Sequence, residues 1–190
     1  MQEINHFDVI VIGSGPAGEK AATQASKLKK NVALIEKNKH LGGVSLHTGT
    51  IPSKSLRETV MNFSLLRQQT HGIEINIKEN LTTSELMYLK EEVVRDQENS
   101  LRRNFQKNKI TIFEGTPQFK STSILEIIPS DGSDILEISA DFFIIATGSS
   151  PLRPNWAPFN NESVFDSDTI LDIKRLPKKV TIIGAGVIGC

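Results

Sequence analysis

Three runs of this chain hold residues whose types and spacing could do chemistry. Gly13-Ser14-Gly15-Pro16-Ala17-Gly18 places glycines at the first, third and sixth positions. In such a turn the first glycine permits a tight reversal, and the second lets backbone approach a pyrophosphate. The third lets a helix pack closely on a strand. A helix opening at this point offers unpaired N–H groups and a partial positive charge to phosphate oxygens. Glu36 follows at close to the ~20-residue spacing of an acid that binds ribose hydroxyls; the plainer reading is a solvated carboxylate at a strand end. Gly184-Ala185-Gly186-Val187-Ile188-Gly189 repeats the same glycine spacing near the carboxyl end. Between the two turns lies Gly42-Gly43-Val44-Ser45-Leu46-His47-Thr48-Gly49-Thr50-Ile51-Pro52-Ser53-Lys54, with two hydroxyls, Ser45 and Thr50, and a lysine in a glycine-rich frame.

The elements around these runs read in a definite order. Phe7–Ile12 is a short, almost wholly apolar run, as in a parallel strand covered on both faces. A helix-forming stretch from Glu19 to Lys29 follows, then a second apolar run, Val32–Ile35, ending at Glu36. Strand, glycine turn, helix, strand and acid make a dinucleotide-binding βαβ unit. Pro52 suits a first helical turn, where its missing N–H costs nothing, and Ser55–Gln69 carries Leu56, Val60, Phe63 and Leu65 or Leu66 at helical spacing. After a polar loop over Thr70–Leu81, Thr82 and Glu85 read as a capping box. The helix they open reaches about Phe105, with Leu86, Leu89, Val93, Gln97, Leu101 and Phe105 on one stripe. That stripe is expected to pack on the preceding helix or on a partner subunit.

From Lys109 the spacing turns strand-like. Ile110–Phe113 ends at Glu114-Gly115-Thr116, and runs around Phe119, Ile124–Ile128 and Ile135–Ile138 read as a small antiparallel meander. Asp141–Ile145 is a further buried strand, ending at Ala146-Thr147-Gly148. Ser150–Pro177 is proline-rich and aperiodic, a surface connection with a short helical turn near Ser167–Leu171. Lys179–Ile183 reads as a parallel-type strand feeding the second glycine turn. A domain boundary is not expected inside a phosphate-binding turn, so the 190 residues read as the amino-terminal part of a longer protein.

Composition excludes several classes. The 22 basic and 22 acidic side chains cancel, which argues against an electrostatic nucleic-acid partner. The single cysteine, Cys190, rules out an intrachain disulfide. No apolar stretch nears the ~20 residues of a membrane helix, and the amino terminus lacks the pattern of a signal peptide. A soluble cytoplasmic protein without a metal site is the expectation.

Four ordered motifs carry a resemblance: the first glycine turn, Gly42–Lys54, Ala146-Thr147-Gly148, and the second glycine turn. Together they resemble the flavin-dependent disulfide reductases over nearly the full chain. In that family the positions of Ser45 and Thr50 hold a redox-active cysteine pair, so the frame is present and the dithiol is gone. Within the family, His47-Thr48-Gly49-Thr50-Ile51-Pro52-Ser53-Lys54 is most similar to the soluble pyridine nucleotide transhydrogenases, as are Leu56-Arg57 and Asp166-Ser167-Asp168. Ser45 departs from them, since a lone cysteine is expected there.

The resemblance implies an α/β fold: an FAD-binding, Rossmann-like three-layer domain over residues 1–149, with a parallel sheet, a small meander and a long helical pair. A connection over 150–178 and the start of an NAD(P)-binding domain over 179–190 would follow. Gly13, Gly15, Pro16, Ala17 and Gly18 would hold the FAD pyrophosphate, and Glu36 with Lys37 the adenosine ribose. Gly43, Val44, Ser45, Gly49 and Thr50 would line the flavin and its phosphates. Gly115 and Thr116 would lie by the adenine, while Ala146, Thr147 and Gly148 close over the cofactor. Gly184, Gly186 and Gly189 would serve the nicotinamide dinucleotide. Lys54 would stand near the flavin as the catalytic cation; a solvated helix lysine is the plain alternative. His47 is as well read as a packing histidine.

The implied activity moves hydride from NADPH through FAD to NAD, in a homodimer or higher oligomer. A flavin reductase or oxidase serving quinone or oxygen is a second reading. A third is a non-catalytic fragment that binds flavin weakly and turns nothing over alone.

Overall fold

The computed structural model describes residues 4–68 and 83–189, apart from the side chains of Phe63, Leu66, Arg67, Gln68 and Leu86. The polar loop over 70–81 and the cap at Thr82 therefore lie outside the described residues. The chain divides into two compact units, Met1–His47 with Arg95–Ser149, and Thr48–Val94 with Ser150–Cys190.

In the first unit a six-stranded sheet has the order β3-β2-β1-β6-β5-β4. Its strands are β1 (Asn5–Ile12), β2 (Val32–Glu36), β3 (Thr111–Glu114), β4 (Thr116–Phe119), β5 (Ile124–Ile128) and β6 (Leu136–Ile145). Strands β3, β2, β1 and β6 run parallel, whereas β5 pairs antiparallel with β6 and β4 antiparallel with β5. The fold is thus α/β, with the expected meander continuing the parallel sheet.

Burial explains why Val9–Ile12 of β1 and Val32–Ile35 of β2 are wholly apolar. Val9, Val11, Val32 and Leu34 face one core with Ala22, Leu41, Phe105 and Ile110. The alternate residues, Ile10, Ile12, Ala33 and Ile35, face a second core closed by Leu125 and Ile127 of β5 and Ile138 and Ala140 of β6. A strand covered on both faces has no polar side to show.

Helix α1 spans Pro16–Lys27, starting three residues before the expected Glu19 because Pro16 takes the first helical position at no cost in hydrogen bonding. A five-residue helix, α2 (Gly43–His47), was not expected. Helix α3 spans Thr50–Gln68, with Leu56 half-buried and Val60 and Leu65 exposed. Helix α4 runs Thr83–Lys107.

Three expectations are corrected. The α4 stripe is not one buried face: Leu89 and Val93 are exposed, Met87 and Lys90 are buried, and Phe105 packs in the sheet core rather than on the preceding helix. Ile135–Ile138 and Asp141–Ile145 are not two strands but parts of β6 and its approach, because the intervening Ala140 is buried and keeps the sheet register. Lys179–Ile183 forms no strand; Val180, Ile182 and Ile183 are exposed, with no strand among the described residues pairing them.

The second unit's Ser150–Pro177 segment is irregular apart from a 3-10 turn, Thr169–Asp172. Asp166 organises its approach. One carboxylate oxygen accepts from the amides of Asp168 (3.1 Å) and Thr169 (2.8 Å) and from the Thr169 hydroxyl (3.0 Å). The other accepts from Arg153 Nε at 2.6 Å. Burial, the largest influence, pushes the Asp166 carboxyl up, but the bonds from Thr169 and Arg153 together outweigh it and hold it at about 2. A depressed carboxyl lends stability that is full above its unfolded value and is lost as pH falls through the folded one. The amide resonances of Asp168 and Thr169 should therefore titrate near pH 2; a midpoint near 4 would show that the carboxylate is not held this way.

Candidate functional site

The candidate site lies at the carboxyl ends of the four parallel strands. Strand register sets Ile12 beside Ile35 and Ile145, and Glu36 beside Glu114. Three backbone bonds then tie the departing turns to these ends. Gly13 N–H donates to Ile35 O (2.8 Å), Gly115 N–H to Glu36 O (2.9 Å) and Ala146 N–H to Ile12 O (2.8 Å). The first glycine turn, Gly115-Thr116 and Ala146-Thr147-Gly148 are thus gathered by the sheet, at the crevice where open α/β sheets take ligands.

The glycines differ in what they are for. Gly13 has φ +104°, and a Cβ there would stand 2.3 Å from Ala146 O. A Cβ on Gly18 would meet Gly13 O at 1.9 Å, so α1 sits on β1 with no room to spare. Gly15 is unlike both: its φ is −63°, and a Cβ would meet nothing within 4 Å. The chain's own atoms give Gly15 no reason to be glycine. A phosphate approaching the backbone from outside would. Gly43 closes the other side, since its Cβ would lie 3.0 Å from Gly15 Cα. A bound dinucleotide needs a bare backbone patch at a helix amino terminus with an acid beside it, and the residues fit: Glu36 ends β2, the strand next to β1.

That acid is not the solvated carboxylate of the plainer reading. Glu36 is 5% exposed. Its Oε2 accepts from Ser14 N (2.9 Å) and Ser14 Oγ (2.6 Å), and its Oε1 from Asn38 N (3.0 Å). Gly42 N in turn donates to Ser14 Oγ at 2.9 Å. A carboxylate has about four lone-pair sites, so three donors leave one for a ligand hydroxyl. Ser14, fully buried at the hub, was missed in the sequence reading. Its signal was a hydroxyl between two glycines of a turn that needs none for its shape.

The other expected residues are placed as follows. Lys37, Val44, Thr116, Thr147 and Gly148 are exposed, as are Pro16 and Ala17 at the head of α1. Ser45 is half-buried in α2, and His47 donates from Nε2 to Leu41 O at 2.7 Å. In the second unit Gly49 O accepts from Ser53 Oγ at 2.7 Å, and Thr50 is exposed at the start of α3. Lys54 is exposed and lies 3.8 Å from Glu58, one turn along the same helix. Thr48 Oγ1 is the buried side-chain oxygen without a partner among the described residues.

The second glycine turn repeats the first in its internal geometry. Gly184 has φ +121°, a Cβ on Gly189 would stand 2.3 Å from Gly184 O, and one on Gly186 would meet nothing. Even the next contact matches: Val11 Cγ1 at 3.4 Å from the Gly18 position, Ile182 Cγ2 at 3.5 Å from the Gly189 position. The turn's shape is a local property of its sequence, present here without a strand beneath it.

No helix among the described residues is long and apolar enough to cross a membrane. Comparison with known proteins agrees with this geometry. Residues 7–190 match the family described as pyridine nucleotide-disulphide oxidoreductase. The soluble pyridine nucleotide transhydrogenase of Vibrio atlanticus (strain LGP32) is 43% identical over 191 residues, covering 100% of this chain and 41% of that protein. The protein of the same name from Mycobacterium bovis (strain BCG / Pasteur 1173P2) is 37% identical over 187 residues, 98% of this chain and 40% of its own length. The chain thus spans about two-fifths of these relatives. Among solved structures, the HOCl-induced flavoprotein disulfide reductase RclA from Escherichia coli aligns with a TM-score of 0.69 at 27% identity, over 90% of this chain and 35% of that one. A Cu(II) complex of a mutant of that protein aligns with a TM-score of 0.79 at 26% identity, over 98% and 38%. On the family match across residues 7–190 and these identities, the chain belongs to the pyridine nucleotide-disulphide oxidoreductase family.

Proposed function

We propose that this chain carries the FAD-binding part of an oxidoreductase that moves hydride from NADPH to NAD. The observation that carries the reading is the open face of Gly15, framed by Gly43 and served by the buried Glu36, in a chain whose Ser45 and Thr50 leave no dithiol. Bound FAD would supply an acceptor and donor of hydride, which no side chain here can be. Gly15, Ala17 and Gly18 would hold the pyrophosphate on backbone N–H groups and the α1 dipole, with Gly13 shaping the turn and Pro16 opening the helix. Glu36 offers its remaining lone pair to the adenosine ribose. Gly43, Ser45 and Thr50 line the flavin side, Gly115 and Thr116 the adenine side, and Ala146–Gly148 cover the cofactor. Lys54 contributes a positive charge that favours a reduced, anionic flavin.

In this reading residues 1–149 form the FAD domain, 150–178 a connection, and 179–190 the first turn of the nicotinamide domain. The relatives' names support the choice of two nicotinamides as substrates. In a chain of the relatives' length, NADPH should reduce a thionicotinamide analogue of NAD. Reduction of lipoamide or glutathione disulfide at a comparable rate would overturn the assignment.

A further inference from the structure

The loop between Glu36 and α2 carries Gly42 and Gly43 to the face of Gly15, yet it has no secondary structure of its own. It is held from α4. Glu98, with its side chain 13% exposed, sends Oε1 to Leu41 N–H at 3.3 Å and Oε2 to His40 Nδ1 at 3.1 Å. Arg102, one turn on, donates from Nε (3.2 Å) and Nη2 (2.8 Å) to the same carboxylate, and from Nη2 to Lys39 O at 3.2 Å. Three consecutive loop residues are thus bonded to one acid–base pair. Leu41, 1% exposed in the core with Phe105, fixes the loop's depth, and the Glu98 bonds fix its rotation. The next residue, Gly42, donates to Ser14 Oγ, which donates to Glu36. Burial is the largest influence on the Glu98 carboxyl and pushes it up, but Arg102, His40 and the Leu41 amide together hold it below the usual carboxylate range. The group is therefore an anion at neutral pH, and its bonds are the stronger charge-assisted kind.

We propose that Glu98, braced by Arg102, is a positioning residue for the dinucleotide cradle: it sets the loop so that Gly42 and Gly43 meet Ser14 and Gly15. This inference rests on the flavin reading above. Glu98 touches no expected ligand group; it acts through the loop.

The test compares Glu98→Ala and Glu98→Gln with the unaltered 190-residue chain, by amide hydrogen exchange and by fluorescence titration with FAD. Loss of a charge-assisted bond should speed exchange at Leu41 and Gly42 about tenfold in Glu98→Ala, with β1 and β2 unchanged, and weaken FAD binding about tenfold. Glu98→Gln keeps an acceptor for Leu41 N–H and should recover part of both effects; a merely structural role predicts no such ordered recovery. Unchanged exchange at Leu41 and Gly42 in Glu98→Ala would overturn the proposal, as would a loosened loop with unchanged FAD affinity. If the unaltered chain binds no FAD while Glu98→Ala still loosens the loop, the cofactor reading fails and Glu98's hold on the loop stands.

Discussion

Replacing Glu36 with glutamine should destabilise the chain before any ligand is considered. Both carboxylate oxygens of Glu36 accept from backbone N–H groups, Oε2 from Ser14 and Oε1 from Asn38. A glutamine amide has one oxygen and one NH2, so either orientation points an N–H at an N–H. In a site where Glu36 is 5% exposed, water cannot repair the mismatch. One unsatisfied buried donor costs about 2 kcal/mol, which for a chain of this size is about 4–8 °C in melting temperature. Glu36→Ala should cost more, because Ser14 Oγ also loses its acceptor and Gly42 N–H then hangs on an unanchored hydroxyl. The measurement is thermal unfolding of the ligand-free chain followed by circular dichroism. A change under about 0.5 kcal/mol, the usual effect of a surface substitution, would show the carboxylate to be the solvated strand-end group of the plainer reading. The acid of the fingerprint is thus expected to do two things: shape the turn at Ser14 and keep one lone pair for a ribose.

The parts legible in the sequence were those whose determinants are local. The βαβ unit could be read because Val9–Ile12 and Val32–Ile35 are apolar on both faces and the glycine turn lies between them. The second turn proves the point: its glycines take the same shape with no strand beneath. What depended on distant partners was less legible. Lys179–Ile183 has a strand's composition but no neighbour among the described residues to pair with, and composition alone makes no ladder. The α4 stripe failed because Thr83–Val94 and Arg95–Lys107 belong to different compact units; no single face need be buried along the whole helix. Ser139-Ala140 read as a break between strands, yet Ala140 is buried in the core and pairs in register with Phe7. In the site, glycines and the acid were readable by spacing. Ser14 and Glu98 were not, since each matters through hydrogen bonds to residues far away in sequence.

Two glycines three residues apart should separate folding from binding. Gly18→Ala puts a Cβ 1.9 Å from Gly13 O. Both are backbone, so no side chain can swing away, and α1 must lift from β1. Overpacking of this kind costs about 1–3 kcal/mol, and the short approach places this case near the upper end, roughly 6–12 °C in melting temperature. Gly15→Ala meets nothing within 4 Å and needs no unusual backbone, since φ is −63°. Its cost should stay within about 0.5 kcal/mol. A Cβ there would nevertheless stand where backbone must approach a pyrophosphate, and affinity for FAD should fall tenfold or more, about 1.4 kcal/mol. Thermal unfolding without ligand and titration with FAD, made on both variants, give four numbers. The expected pattern is a large thermal loss for Gly18→Ala and a large affinity loss with an unchanged melting temperature for Gly15→Ala. If Gly15→Ala binds FAD like the unaltered chain, the open face of Gly15 is not where the phosphates lie, and the dinucleotide reading of this turn is wrong. If instead it melts early, the constraint on Gly15 is internal after all, and its glycine carries no information about a ligand.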